Sequence, residues 1–228
     1  MKITILTGAG ISAESGISTF RDADGLWEGH DVMEVATPRG WIKNQDLVLQ
    51  FYNERRRQLK EVKPNAAHLA LKRLEEQHDV VIITQNVDNL HERAESSNII
   101  HLHGELNKVR CTKYPNDIKE WSNDLQTGDL SESGYQLRPH IVWFGEDVPK
   151  LQNAVDEMYG SDVAIIIGTS MQVYPAASLI DYVSQDCKIY YVDPKPHISH
   201  ELKLRNNLEV IEKKASIGVV ELVEKLMS

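Results

Sequence analysis

Residues 2–13 read Lys2-Ile3-Thr4-Ile5-Leu6-Thr7-Gly8-Ala9-Gly10-Ile11-Ser12-Ala13, an apolar run that ends on a glycine loop. The first half has the composition and length of a β-strand. The second half satisfies G-x-G-x-x-(G/A). Glycines in that pattern let the backbone turn tightly and approach a pyrophosphate, while helix N–H groups face the anion. Placed directly after an N-terminal strand, the loop predicts a nucleotide site on an α/β domain. Alone, it would serve equally as a structural turn.

Outward from this loop, apolar runs recur at 79–84, 98–102, 140–144, 162–167, 188–192 and 208–211. Helical segments at about 46–61, 65–77, 88–95, 150–159, 175–184 and 216–227 lie between them. Val80-Val81-Ile82-Ile83 and Ala164-Ile165-Ile166-Ile167 do not alternate, which suits strands buried on both faces of a parallel sheet. Asn65 and Pro175 are start signals for their helices. The alternation predicts a Rossmann-like, doubly wound α/β fold with a mostly parallel sheet. Two stretches fall outside simple βα units, at about 28–62 and 104–139. They are expected to be insertions into a single catalytic domain (1–228), forming a small helical and loop-rich lobe. Ile118, Trp121 and Leu125 at helical spacing, with Leu130, Tyr135 and Leu137, are its expected core.

Composition narrows the function classes. The 228 residues are 41% hydrophobic and 26% charged, ordinary for a globular protein. A formal net charge of −9 argues against nucleic-acid binding, which needs a basic footprint. No run approaches the roughly 18 apolar residues of a membrane span. The short apolar N-terminus lacks a signal-peptide cleavage pattern, so a cytoplasmic, monomeric protein is expected. Cys111 and Cys187 are the two cysteines of the chain, and neither a structural disulfide nor a four-cysteine zinc site is expected from them. A hydride-transferring dehydrogenase would place an acidic residue roughly 20 positions beyond the loop, at the end of a second strand. Here Phe20-Arg21-Asp22-Ala23-Asp24-Gly25-Leu26-Trp27 reads as a loop, and the next strand begins near residue 79. The hydride-transfer reading loses ground.

Five segments carry a stronger signal: GAGISAESGISTFR (8–21), TQNVDNLH (84–91), HLHGEL (101–106), RPHIVWFGE (138–146) and GTSMQVYPA (168–176). In order and spacing they resemble the sirtuin family. The match extends over most of the chain and is weakest in 107–137 and at the C-terminal end. The resemblance implies an NAD-dependent protein-lysine deacylase that takes NAD as cosubstrate. Such enzymes release nicotinamide and transfer the acyl group of an acylated lysine to ADP-ribose. It makes His103 the general base, suited by an imidazole pKa of roughly 6.5, and gives Asn86 and Asp88 to the nicotinamide side. It assigns Gly8, Ala9, Gly10, Ser12, Ala13, Thr19, Phe20, Arg21, Trp27, Gln85, Gly168, Thr169 and Ser170 to the dinucleotide. Asp193, where the family often has Asn, and Ala215 are added on the adenosine side. Val142, Trp143, Phe144 and Gly145 fall where the family pairs with an extended substrate peptide.

Two features set this chain apart. Most sirtuins bind a structural zinc through two Cys-x-x-Cys pairs, but Cys111-Thr112-Lys113-Tyr114 supplies one cysteine, so no zinc is expected. On the helix 46–61, Val48, Phe51, Tyr52, Arg55 and Leu59 share a face. Tyr-x-x-Arg at this place resembles the branch that removes acidic acyl groups, so succinyl- and malonyl-lysine are the expected substrates, with acetyl-lysine also accepted. Against this, Arg55 belongs to a run of three arginines that would otherwise read as solvated. The alternative functions are an NAD or ADP-ribose sensor, an NAD hydrolase or a mono-ADP-ribosyltransferase. A metal-dependent hydrolase built on His101 and His103, two imidazoles on one strand face, is a weaker rival.

Overall fold

The structure, a computed structural model, describes residues 1–18, 26–27 and 29–228. Its centre is a six-stranded parallel sheet of β1 (Lys2–Thr7), β4 (Asp79–Thr84), β5 (Ile99–His101), β9 (Val163–Ile167), β10 (Lys188–Val192) and β11 (Leu208–Ile211). The strand order is β11-β10-β9-β1-β4-β5. The chain leaves β1 in one direction to β4 and later returns to its other side as β9. A crevice of the kind that binds ligands in open α/β sheets therefore lies at the carboxyl ends of β1 and β9.

The continuously apolar strands are explained by two cores, one on each face of the sheet. One packs Ile3, Ile5, Val80, Ile82, Ile165 and Ile167 against helices α4 (Ala66–Leu74) and α8 (Ala215–Met227). The other packs Leu6, Val81, Ile83, Ala164 and Ile166 against α6 (Leu151–Tyr159) and a 3-10 segment, Ala176–Tyr182. Asn65 caps α4 as expected: its side chain accepts from Ala67 N–H, and His68 closes a capping box. The region 175–184 forms this 3-10 segment rather than an α-helix, and the helix expected at 88–95 shortens to α5 (Leu90–Arg93). No helix among the described residues is long and apolar enough to cross a membrane.

The segment 104–139 corrects the sequence reading. It is an antiparallel sheet, β7-β6-β8, of β6 (Gly104–Cys111), β7 (Ile118–Glu120) and β8 (Leu137–Ile141). Its pattern is concealed because the β6–β8 register shifts between Gly104 and Val109, so buried Leu106 and Val109 stand three apart instead of two. Ile118 lies on β7 and is exposed, as are Leu130 and Tyr135. Leu125 and Leu137 are buried as expected, with Leu49 and Val109 and with Trp121 at the edge. The run 140–144 is not one strand either. β8 ends at Ile141, and residues 142–146 turn away, with Gly145 at φ +89°. Glu146 fixes that turn by accepting from Trp143 N–H (2.8 Å), Arg138 (2.6 and 3.1 Å) and Arg110 (3.0 Å).

The first insertion holds a two-stranded ribbon, β2 (Leu26–Trp27) and β3 (His30–Asp31), then α1 (Val32–Val35), α2 (Pro38–Lys43) and α3 (Gln45–Glu61). Helix α3 closes over the small sheet by burying Val48, Phe51, Tyr52 and Leu59 with Leu106, Ile141 and Trp143. Arg56 bolts it down from inside. The arginine is 1% exposed and donates to the carbonyls of Leu106 (3.0 Å) and Asn123 (3.3 Å) and to Asn53 Oδ1 (2.7 Å). The run of three arginines is thus not uniformly solvated: Arg56 is buried, Arg55 half-buried and Arg57 exposed beside Asp124. Each buried hydrogen bond to a charged group contributes about 1.5–3 kcal/mol, so Arg56 is a structural bolt between the insertions.

Candidate functional site

Backbone touching backbone forms the crevice. Gly8 N–H donates to Ile167 O (3.0 Å) and Gly10 N–H to Gly168 O (2.8 Å), joining the loop after β1 to the loop after β9. A Cβ on Gly10 would lie 2.6 Å from Gly168 Cα, and one on Gly168 would lie 2.4 Å from Ile11 N. Gly168 also has φ +59°, where side chains are strained. Glycine is required at both positions. Asn65 Nδ2 donates to Ile11 O and Ser15 Oγ, holding the same loop to α4. Glu14 accepts from Ser216 N–H and Oγ, docking the turn after Ala13 onto α8 beside Ala215.

The loop after β4 forms the other wall. Asn86 Nδ2 donates to Gly8 O (3.1 Å) and Ser12 Oγ (3.2 Å), and Ser12 Oγ donates to Asp88 Oδ2 (2.9 Å). Asp88 Oδ1 also accepts from Leu90 N–H, so the carboxylate holds the first residue of α5 and reaches the glycine loop at once. Burial pushes the Asp88 carboxyl up from the ordinary range, against the pull of the Leu90 and Ser12 hydrogen bonds. Gln85 Nε2 donates to Thr169 Oγ1 (2.9 Å), which ties this wall to the loop after β9. Gly8, Gly10, Ser12, Gln85, Asn86, Asp88, Gly168 and Thr169 therefore form one connected group, with Ala9, Ala13 and Ser170 in the same loops.

His103 follows β5 and reaches the same wall. Its Nδ1 lies 3.0 Å from Gln85 O, and a carbonyl only accepts, so Nδ1 carries the proton and Nε2 the lone pair. Burial lowers its pKa and so favours the neutral form, outweighing the Gln85 hydrogen bond, which favours the protonated one. Gly104, at φ +84°, lets the chain turn directly behind it, where a Cβ would strike His140 O at 2.0 Å. Val142 N–H donates to His103 O (2.9 Å), which brings the segment after β8 alongside.

Tyr52 is fully buried, and its phenol accepts the Trp143 indole N–H (3.0 Å). Trp143 is buried beneath the Arg138 guanidinium, whereas Phe144 is 46% exposed and Val142 half-buried. Arg55 lies with its guanidinium carbon 4.3 Å from the Phe51 ring centroid and donates to Phe51 O (3.0 Å). Trp27 packs edge-on against Phe51 and Tyr52, which places its ring in the α3 aromatic cluster. Asp193 is buried at the end of β10, where it accepts from Lys195 N–H. Thr19, Phe20 and Arg21 lie outside the described residues.

Three functional contacts were not anticipated from the sequence. Ser12 bridges Asn86 to Asp88, Glu146 shapes the turn that carries Phe144 and Gly145, and His101 contacts the Asn86 carbonyl. The HLH alternation was the available signal for His101. Its imidazole is engaged by Asn86 O and by Glu92, and the neighbouring Glu105 pairs with Lys108.

Comparison with known proteins agrees with this geometry. Residues 8–175 match the Sir2 family. A protein named NAD-dependent protein deacylase from Helicobacter pylori is 58% identical over 225 residues, covering 99% of this chain and 97% of its own. One of the same name from Bacteroides thetaiotaomicron is 50% identical over 231 residues, covering 99% and 97%. The crystal structure of a Sir2 homologue–NAD complex superposes with a TM-score of 0.87 at 39% identity, covering 99% of this chain and 89% of that one. The glycine cradle, the Ser12–Asn86–Asp88 wall and the whole-length similarity lead to one conclusion: the chain belongs to the Sir2 family.

Proposed function

We propose that this protein is an NAD-dependent lysine deacylase acting on acylated proteins, with succinyl and malonyl groups preferred over acetyl. The observation that carries the reaction is the fixed tautomer of His103. A general base needs an available lone pair at working pH, and His103 holds its proton on Nδ1 and presents Nε2. NAD would supply ADP-ribose as the acceptor of the acyl group, with nicotinamide as the leaving group. The glycine cradle approaches its phosphates with bare backbone, and Asn86, Asp88 and Ser12 hold the nicotinamide end. Thr169, Ser170, Asp193 and Ala215 serve the ribose and adenosine side. The whole chain acts as one catalytic domain, with its two insertions forming the small lobe.

The turn after β8 presents Val142, Phe144 and Gly145 to an extended peptide. Tyr52 underpins that turn through Trp143 and stands one helical turn from Arg55, so peptide edge and acyl pocket share a support. With its oxygen accepting from Trp143, the Tyr52 phenol keeps an O–H to donate, and Arg55 adds a forked donor for a carboxylate. The small lobe is read as zinc-free, because Cys111 is the one cysteine in the segment 104–139 and tetrahedral zinc needs four ligands.

Three outcomes follow. His103→Ala should lose about 10²–10⁴-fold in turnover while NAD still binds. Since its lowered pKa keeps the base neutral above roughly pH 6.5, the acid limb of the wild-type profile should lie below that pH. A variant retaining more than about a tenth of activity would remove His103 from this role. Matched succinyl- and acetyl-lysine peptides should differ by about 100-fold in kcat/KM, because truncating one member of a buried charge pair costs about 2–5 kcal/mol. Arg55→Met should erase that difference; equal efficiencies in the wild type would contradict it. Finally, elemental analysis should find no stoichiometric zinc. About one zinc per chain, with unfolding on chelation, would refute the metal-free lobe.

A further inference from the structure

The chain returns from β5 carrying two histidines that grip adjacent carbonyls of the loop after β4. His103 holds Gln85 O, and His101 Nδ1 holds Asn86 O at 3.2 Å. Beyond those carbonyls their environments diverge. His101 Nε2 lies 2.6 Å from Glu92 Oε1, a distance at which a carboxylate must receive a proton. Because Nδ1 faces a carbonyl and Nε2 a carboxylate, both nitrogens need hydrogens at the same time. A neutral imidazole has only one to give. With Glu92 ionised, an imidazolium at His101 satisfies both contacts, two residues from a neutral base at His103.

We propose that His101, as an imidazolium shared between Glu92 and the Asn86 carbonyl, is a positioning residue that fixes Asn86 for nicotinamide release and sets an upper pH limit on the reaction. The proposal rests on the role given above to Asn86. The charges around His101 support it. Glu92 on α5 and Glu105 on β6 face it with opposite sign, and Lys108 is paired to Glu105 and Glu120. Asp88 and His91, on the same connection as Asn86, also feel its charge. Burial alone would lower the His101 pKa, but the Glu92 hydrogen bond and charge outweigh it and raise the group above 6.5. Glu92 responds reciprocally: burial would raise it, and the His101 contact holds it below the carboxylate range.

The sign follows. A raised histidine pKa gives a contact that is complete at low pH and lost as pH rises through that value. Loss of the proton forces a choice between the Glu92 and Asn86 bonds, and the Asn86 wall loosens. Activity should therefore rise with His103 deprotonation and fall with His101 deprotonation, two pKa values pushed apart by their surroundings.

The test measures histidine titration by NMR on the full chain and, separately, the pH profile of nicotinamide release with a saturating acyl-lysine peptide. In the wild type, His101 should titrate above 6.5 and the alkaline limb should coincide with it. Glu92→Gln should move both down together by about one pH unit or more, leaving the acid limb in place. His101→Ala should lower kcat about 10- to 100-fold and abolish the alkaline limb; His101→Asn, which keeps a donor for Asn86 O, should recover part of kcat. An NMR titration at or below 6.5, or an alkaline limb unmoved by Glu92→Gln, would overturn the proposal. Loss of the assignment of Asn86 is read separately: Asn86→Ala with unimpaired nicotinamide release would refute that role while leaving the His101 titration as measured.

Discussion

The whole site depends on the contact between the loop after β1 and the loop after β9, where Gly8, Gly10 and Gly168 meet backbone to backbone. Two parallel strands diverge at a topological switch point, and the crevice between them is useful only if nothing fills it. The interlock supplies the glycine loop with its two hydrogen bonds to Ile167 O and Gly168 O. It also leaves the Gly8 carbonyl as the anchor for Asn86. From that anchor the chain Asn86–Ser12–Asp88 runs on, and with it the wall that His101 and His103 grip from the far side. Removing the close approach would displace this wall as a unit.

Polarity in this site is organised by carbonyls rather than by charge pairs alone. Gln85 O sets the His103 tautomer, Asn86 O holds Nδ1 of His101, and Gly8 O orients the Asn86 amide. Fixed backbone acceptors need no reorganisation during a reaction, which is the property that electrostatic preorganisation requires. The titratable groups then differ by neighbour: among the described residues His103 is desolvated without an acid beside it, whereas His101 has Glu92.

The parallel sheet was legible because its strands are buried on both faces and carry unbroken runs such as Val80–Ile83. The residues that meet at the crevice were legible where a residue type has few alternatives, as with Gly8, Gly10, Gly168, Asn86, Asp88 and His103. The small lobe was hidden because a register shift breaks the period of β6, so Leu106 and Val109 do not mark one face by alternation. Residues 142–144 read as strand because their apolar character is local. The carboxylate that turns them, Glu146, is matched by Arg138 and Arg110 from distant positions. Arg56 was masked by its exposed neighbour Arg57.

The most direct measurement is NAD affinity by titration calorimetry in Gly168→Ala, compared with wild type below the melting temperature. A Cβ there meets the backbone of Gly10 and Ile11, and relieving such an overlap costs about 1–3 kcal/mol. The variant should keep the far-UV circular dichroism of the sheet yet bind NAD about tenfold or more weakly, since 1.4 kcal/mol is a factor of ten. Unchanged affinity with unchanged stability would contradict the claim that this backbone contact shapes the nucleotide crevice.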